Sequence, residues 1–91
     1  MAAFDGDEPV GFVFGYDLPR RHGAPSILFV YELEIVESHR RRGIASALMR
    51  ELRRVSGTAE AFVLTEPEND AANALYESLG GTRIETVMWD F

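Results

Sequence analysis

Between Ile27 and Val55 the hydrophobic period of the chain changes, and that change constrains the fold more than any other feature. Ile27, Phe29, Tyr31, Leu33 and Ile35 are apolar at every second position, the period of a strand. The alternate positions begin apolar, with Leu28 and Val30, and then turn acidic at Glu32 and Glu34. The shift predicts a strand buried on both faces at its start and on one face at its end. From Gly43 onward the apolar positions are Ile44, Leu48, Leu52 and Val55, one stripe of an α-helix. Gly57 is a natural C-terminal stop. A buried strand that turns straight into a helix predicts a crossover to a parallel partner strand.

The remaining elements follow from turn residues and period. Ala2 to Asp5 is a short first strand ending at the Gly6-Asp7 turn. Val10, Phe12 and Phe14 alternate in a second strand that ends near Tyr16. Leu18 to Ser26, with Pro19, Gly23 and Pro25, is a loop. Ala61 to Leu64 is a short apolar strand, and Thr65 to Asp70 is a loop around Pro67. A second helix follows, N-capped by Asn69 or Asp70, with Ala72, Leu75 and Leu79 on one face. Gly80-Gly81 ends it, and Thr82 to Phe91 reads as a final strand. The expected fold class is α/β with a mixed sheet, in the order strand, strand, strand, helix, strand, helix, strand.

At 91 residues the chain predicts one domain, spanning 1–91. It has no cysteine, which excludes disulfides, thiolate metal sites and cysteine nucleophiles. His22 and His39 are a poor basis for a zinc site, and no metal is expected. No apolar run nears the roughly 18 residues of a membrane span, and no signal-peptide pattern is present. A cytoplasmic protein with no membrane partner is the expectation. The net charge is −6, all nine basic residues are arginine, and three of them, Arg40, Arg41 and Arg42, are consecutive. An acidic body with one compact basic spot disfavours nucleic acid, which needs a broad basic face. It suits a small phosphate-bearing ligand, or it is simply a solvated cluster before a helix.

The spot sits where a helix begins. A first helical turn carries unpaired backbone N–H groups and the positive end of the helix dipole. Phosphate binds there when the backbone can be approached closely, and Gly43 and Ala45 have almost no side chain to prevent it. The alternative is that both are small only because helix meets sheet. The spacing fits neither the P-loop nor the G-x-G-x-x-G fingerprint.

The run Arg40-Arg41-Arg42-Gly43-Ile44-Ala45 resembles motif A of the GNAT N-acetyltransferases, Arg/Gln-x-x-Gly-x-Gly/Ala after a hydrophobic strand. Asn69, Ala72, Leu75, Tyr76 and Gly80 match a second signature of that family, Asn-x-x-Ala-x-x-Leu-Tyr-x-x-x-Gly, in register. The C-terminal third, Ala74 to Gly80 and then Met88-Trp89-Asp90-Phe91, is similar to GNAT-type aminoglycoside 3-N-acetyltransferases.

The resemblance implies an acetyl-CoA-dependent N-acetyltransferase acting on a primary amine of a small molecule. An aminoglycoside acceptor, with antibiotic resistance as the outcome, is the narrower implication. Acetyl-CoA or coenzyme A is the implied cofactor. Its pyrophosphate would lie on the turn from Arg40 through Arg41, Arg42, Gly43, Ile44 and Ala45 to Ser46. Its pantetheine arm would meet main-chain groups of Leu33, Glu34 and Ile35, where two parallel strands splay apart. Tyr76 would protonate the departing thiolate, and Asn69 would sit near the coenzyme or cap the helix. Read from the residues alone, Tyr76 could also simply pack. The amine must lose a proton to attack, and Glu32 and Glu34 are the candidate bases; both could instead be solvated strand charges. His39 either helps position phosphate or has no role.

The family fold opens with a strand and two helices before the hairpin, whereas this chain starts at what would be the second strand. Those elements build much of the acceptor site and cover part of the sheet. A second outcome therefore stands beside the enzyme: a coenzyme A-binding domain without catalysis. An uncovered sheet face also invites association, and a homodimer that buries it is expected.

Overall fold

The computed structural model describes residues 1–91. Strand β1 spans Ala2–Asp5, β2 Glu8–Leu18, β3 Ile27–Ile35 and β4 Glu60–Val63; helix α1 spans Ile44–Ser56 and α2 Asp70–Ser78. A single 3-10 turn, Glu37–His39, joins β3 to the Arg40–Gly43 turn. The four strands lie in chain order in one sheet. β1 with β2 and β2 with β3 are antiparallel, while β3 and β4, joined through α1, are parallel.

The change of pattern within β3 has a cause different from burial on both faces. Pairing with β2 runs Gly11↔Ile35 to Phe14↔Glu32, then resumes at Gly15↔Val30, so Tyr31 is skipped. This is a β-bulge, and one extra residue exchanges the two faces of a strand. Leu28 and Val30 point into the core before it, and Leu33 and Ile35 pack against the core after it. Glu32 and Glu34 are exposed. Gly15 permits the bulge: a Cβ there would stand 2.5 Å from the Phe29 carbonyl oxygen.

The core is small and aliphatic. Val13, Leu28 and Val30 from the sheet meet Leu48 and Met49 from α1, and Val10 is also buried. Ile44 and Leu52 pack against this cluster as the helical stripe requires, but Met49 takes the place expected of Val55, which lies exposed in the last turn. Gly57 closes α1 in the left-handed conformation, its N–H donating to the Arg53 carbonyl at 3.0 Å. Asn69 caps α2, its Oδ1 accepting from the Ala72 N–H at 3.2 Å, and Tyr76 and Leu79 rest against the core.

The opposite face of the sheet is aromatic. Phe12 and Phe14 stand opposite Glu34 and Glu32, and Tyr16 opposite Phe29. Phe29 stacks on Phe62 at 4.8 Å, and Tyr31 meets Phe14 at 5.5 Å and Tyr16 at 5.8 Å. No helix packs on this face.

Two strand assignments are corrected as well. β4 spans Glu60–Val63, one residue earlier at each end than the expected Ala61 to Leu64. Thr82 to Phe91 forms no strand. No backbone hydrogen bond reaches it, and its contact is a local pair between Arg83 Nε and Glu85 at 3.2 Å. The observed order therefore ends on α2. A strand is made by its partner as much as by its own alternation, and the outer edge of β4 offers only four residues.

Candidate active site

The site is assembled at the end of β3 that points toward α1. β4 pairs with β3 only from Ile27↔Glu60 to Val30↔Val63. β3 then runs on to Ile35 with no partner on that side. The edge of Leu33, Glu34 and Ile35 is thus open where two parallel strands have parted, a place where an extended ligand can meet main-chain groups.

The turn beyond is held in an unusual shape. Arg41 has φ 63° and Gly43 φ 79°, both left-handed. Arg41 is the one residue other than glycine with positive φ, a conformation that costs about 1–2 kcal/mol and is maintained by its surroundings. Arg40 anchors the turn, its Nε donating to the Ile35 carbonyl at 3.0 Å. Gly43 is the N-cap of α1 with no side-chain cap. The first helical amide with a carbonyl partner is that of Ala47, bonded to Gly43 at 3.0 Å. The N–H groups of residues 41–46 donate to no backbone carbonyl, and none is among the donors to side chains. Alternating left-handed residues that lead such a run into a helix form a concave nest for anions.

The surroundings suit the same ligand. Arg40, Arg41 and Arg42 are exposed, and the four ion pairs of the chain involve none of them. A Cβ on Gly43 would meet nothing within 4 Å, so the approach is open. Pyrophosphate, with charge and several acceptor oxygens, fits this cradle.

A shallow depression of about 450 Å³ lies alongside, lined in part by Gly11, Phe12, Glu34, Ile35, Val36 and Arg40. It brings Glu34 together with Ile35 and Arg40. Glu32 lies outside it, on the same face as Glu34 and exposed. Tyr76 and Asn69 also lie outside it: Tyr76 packs against the core, and Asn69 has its capping bond. Burial holds the Tyr76 phenol above its ordinary value of 10.0, so it stays protonated at neutral pH.

Sequence reasoning missed two arrangements. Asn73 Nδ2 donates to the carbonyls of Pro67 at 3.2 Å and Glu66 at 3.4 Å, fixing the loop before α2. Asp5 pairs with His39 at 2.9 Å. The two residues lie 34 positions apart, and no local pattern signals the contact.

Residues 1–81 match the family model described as the acetyltransferase (GNAT) family. The chain belongs to that family. It is 38% identical over 82 residues to L-2,4-diaminobutyric acid acetyltransferase from Methylotuvimicrobium alcaliphilum, covering 87% of this chain and 46% of that protein. The enzyme of the same name from Streptomyces anulatus is 30% identical over 82 residues, covering 86% and 45%. The chain thus spans about half the length of the curated relatives it matches. Among solved structures, an aminoglycoside acetyltransferase from an uncultured soil metagenomic sample superposes with TM-score 0.87 at 35% identity, covering 99% of this chain and 62% of that one. The aminoglycoside N-acetyltransferase AAC(6')-Iy in complex with CoA, 23% identical with TM-score 0.86 over 99% of this chain and 72% of that one, shares the fold.

Proposed function

We propose that this GNAT domain binds acetyl-CoA and transfers its acetyl group to a primary amine of a small molecule. The run of unpartnered amides at residues 41–46, on a left-handed turn beside three arginines that form no ion pair, carries the reading. Bound there, the coenzyme supplies an activated acetyl thioester. The amides and Arg40–Arg42 hold its pyrophosphate, and the open edge of Leu33 to Ile35 orients its arm. Main-chain N–H groups along that edge serve a carbonyl oxygen that gains charge. Glu34, beside the depression and exposed, takes the proton of the incoming amine directly or through water. Tyr76 Oη keeps its proton for the leaving sulfur.

The names of the relatives support a narrower acceptor class. Diaminobutyric acid and aminoglycosides, named for the curated relatives and the structural neighbours, both carry more than one amino group. Glu32 and Glu34 share one face, with Phe12 and Phe14 across from them. Paired carboxylates beside aromatic rings suit an acceptor with a second, protonated amine. An aminoglycoside or a diamino acid is the acceptor class we infer.

Calorimetric titration of acetyl-CoA tests the core of this reading. Micromolar binding to the wild-type chain, lost in Gly43→Val, is the expected result; absence of binding up to millimolar overturns it. A second reading, coenzyme binding without catalysis, is favoured by one observation: Tyr76 packs on the core and does not line the depression. Tyr76→Phe separates the two. Turnover slowed about tenfold or more, with unchanged coenzyme affinity, supports the enzyme.

The aromatic face also bears on assembly. The chain exposes 7295 Å², whereas a folded monomer of its mass exposes roughly 5,300 Å². Part of the excess belongs to the tail, where Ile84, Val87, Met88, Trp89 and Phe91 are each at least 76% exposed, and part to the aromatic face, where Tyr16 and Tyr31 are more than half exposed. We infer a second copy as the occupant of this face. Sedimentation at micromolar concentration should give a dimer that Tyr31→Glu dissociates; a wild-type monomer overturns the inference.

A further inference from the structure

Three side chains immediately before the amide cradle form a hydrogen-bonded chain with no part in the mechanism above. His39 Nε2 lies 2.9 Å from Asp5 Oδ2, and its Nδ1 lies 2.8 Å from Ser38 Oγ. The His39 side chain is only 15% exposed, the lowest value among the ion-paired side chains. Asp5 ends β1, at the far edge of the sheet from β4. His39 ends the 3-10 turn, one residue before the arginine run. The pair thus ties the outermost strand to the base of the cradle.

Both bonds can be made by the ring in either protonation form. In the neutral ring with its proton on Nε2, Nε2–H donates to Asp5 and Nδ1 accepts from the Ser38 hydroxyl. In the charged ring both nitrogens donate, and the hydroxyl oxygen accepts. The groups facing the ring are Asp5 from β1 and Ser38 beside it, with the charge of Arg42 also felt at Asp5. The His39 hydrogen bond, and then the charges of His39 and Arg42, hold the Asp5 carboxyl below its ordinary value of 3.8. Asp5 is therefore ionised across the neutral range.

Backbone bonds carry the constraint onward. The His39 N–H donates to the Val36 carbonyl at 3.0 Å, and the Arg40 N–H to Glu37 at 3.3 Å. Arg41, in its costly left-handed conformation, follows directly. An anion site built from backbone amides has no side chains of its own to hold its shape. Here the shape is imposed from outside, by the ring on one side and by Arg40 on the Ile35 carbonyl on the other.

We propose that Asp5 and His39 are positioning residues for the anion cradle at residues 41–46, acting through a hydrogen-bonded tether from β1. The proposal rests on the coenzyme reading for its functional consequence, but the tether can be observed without ligand. Amide exchange at His39, Arg40 and Ala47 should be faster in Asp5→Ala than in wild type, and should return to wild-type values in Asp5→Asn, which keeps an acceptor oxygen. Exchange in β4 should be the same in all three. Coenzyme A affinity should fall about five- to tenfold in Asp5→Ala and stay within about twofold in Asp5→Asn.

Unchanged exchange at those three amides in Asp5→Ala overturns the tether, as does an Asp5→Asn variant as perturbed as Asp5→Ala. If wild type fails to bind coenzyme A while exchange responds as expected, the tether stands and the coenzyme reading falls.

Discussion

The two faces of the sheet are made by the same strands and have opposite chemistry. On one, Val13, Leu28 and Val30 lie under α1, each no more than 2% exposed. On the other, Tyr16, Tyr31 and Phe62 remain 51%, 59% and 37% exposed, with Glu32 and Glu34 among the rings. The first face holds the fold together. The second is available to a ligand or a partner. The difference shows that hydrophobicity alone does not mark the core of this chain. The aromatic residues are larger than the buried ones, yet α1 covers the aliphatic face.

The sharpest way to break this comparison is to truncate one residue on each face. Leu28→Ala should destabilise the domain by about 2–5 kcal/mol through the cavity it leaves, and Tyr31→Ala by less than about 1 kcal/mol. Urea unfolding measures both, and equal losses would mean that the faces are energetically alike. Next in size is a functional effect confined to the aromatic face. Glu34→Gln should slow amine acetylation about 100-fold near neutral pH, with coenzyme affinity unchanged in titration. A slowdown only in Glu32→Gln would move the base to the other carboxylate.

Gly15→Ala should cost about 1–3 kcal/mol, because the added methyl must displace the backbone of Phe29 rather than a flexible side chain. Its urea midpoint, compared with that of the wild type, measures the loss. The smallest effect is electrostatic. Asp5, Glu51 and Glu60 have carboxyls lowered chiefly by hydrogen bonds to His39, Arg54 and Arg20. Their contribution is complete above the ordinary carboxylate range and is lost as pH falls through the lowered values. Stability should therefore decline on acidification below about pH 4.5, and Asp5→Ala should shallow that decline. All three groups are exposed, so the slope should be slight and weaken with salt.

What the sequence revealed is local. The period change at Gly43, the capping Asn69 and the glycine that stops α1 all act within a few residues, and each is found where expected. The amide cradle was legible for the same reason: Gly43 and Ala45 open a helix directly after a strand. What escaped depends on contacts between distant segments. The bulge at Tyr31 is defined only by the register of β2. The His39–Asp5 pair forms only when β1 lies beside the turn. The tail, Thr82 to Phe91, has an alternating pattern, but a pattern cannot supply an edge to pair with. The proposed roles of Glu34 and Tyr76 came from the family signature and from chemistry. Their different surroundings, one beside the depression and the other on the core, required the fold.

The skipped residue in β3 has a consequence for how the chain tolerates change. Tyr31 is the one residue of β3 without a partner on β2, so the pairing on either side of it does not depend on its presence. Removing it outright would make Val30 and Glu32 consecutive opposite Gly15 and Phe14, and ordinary alternation would still place Leu33 and Ile35 inward and Glu32 and Glu34 outward. Keeping the residue but pairing it with Phe14 would do the opposite and slip every later residue onto the other face. The strand thus tolerates a shorter chain at this point better than a misplaced bulge.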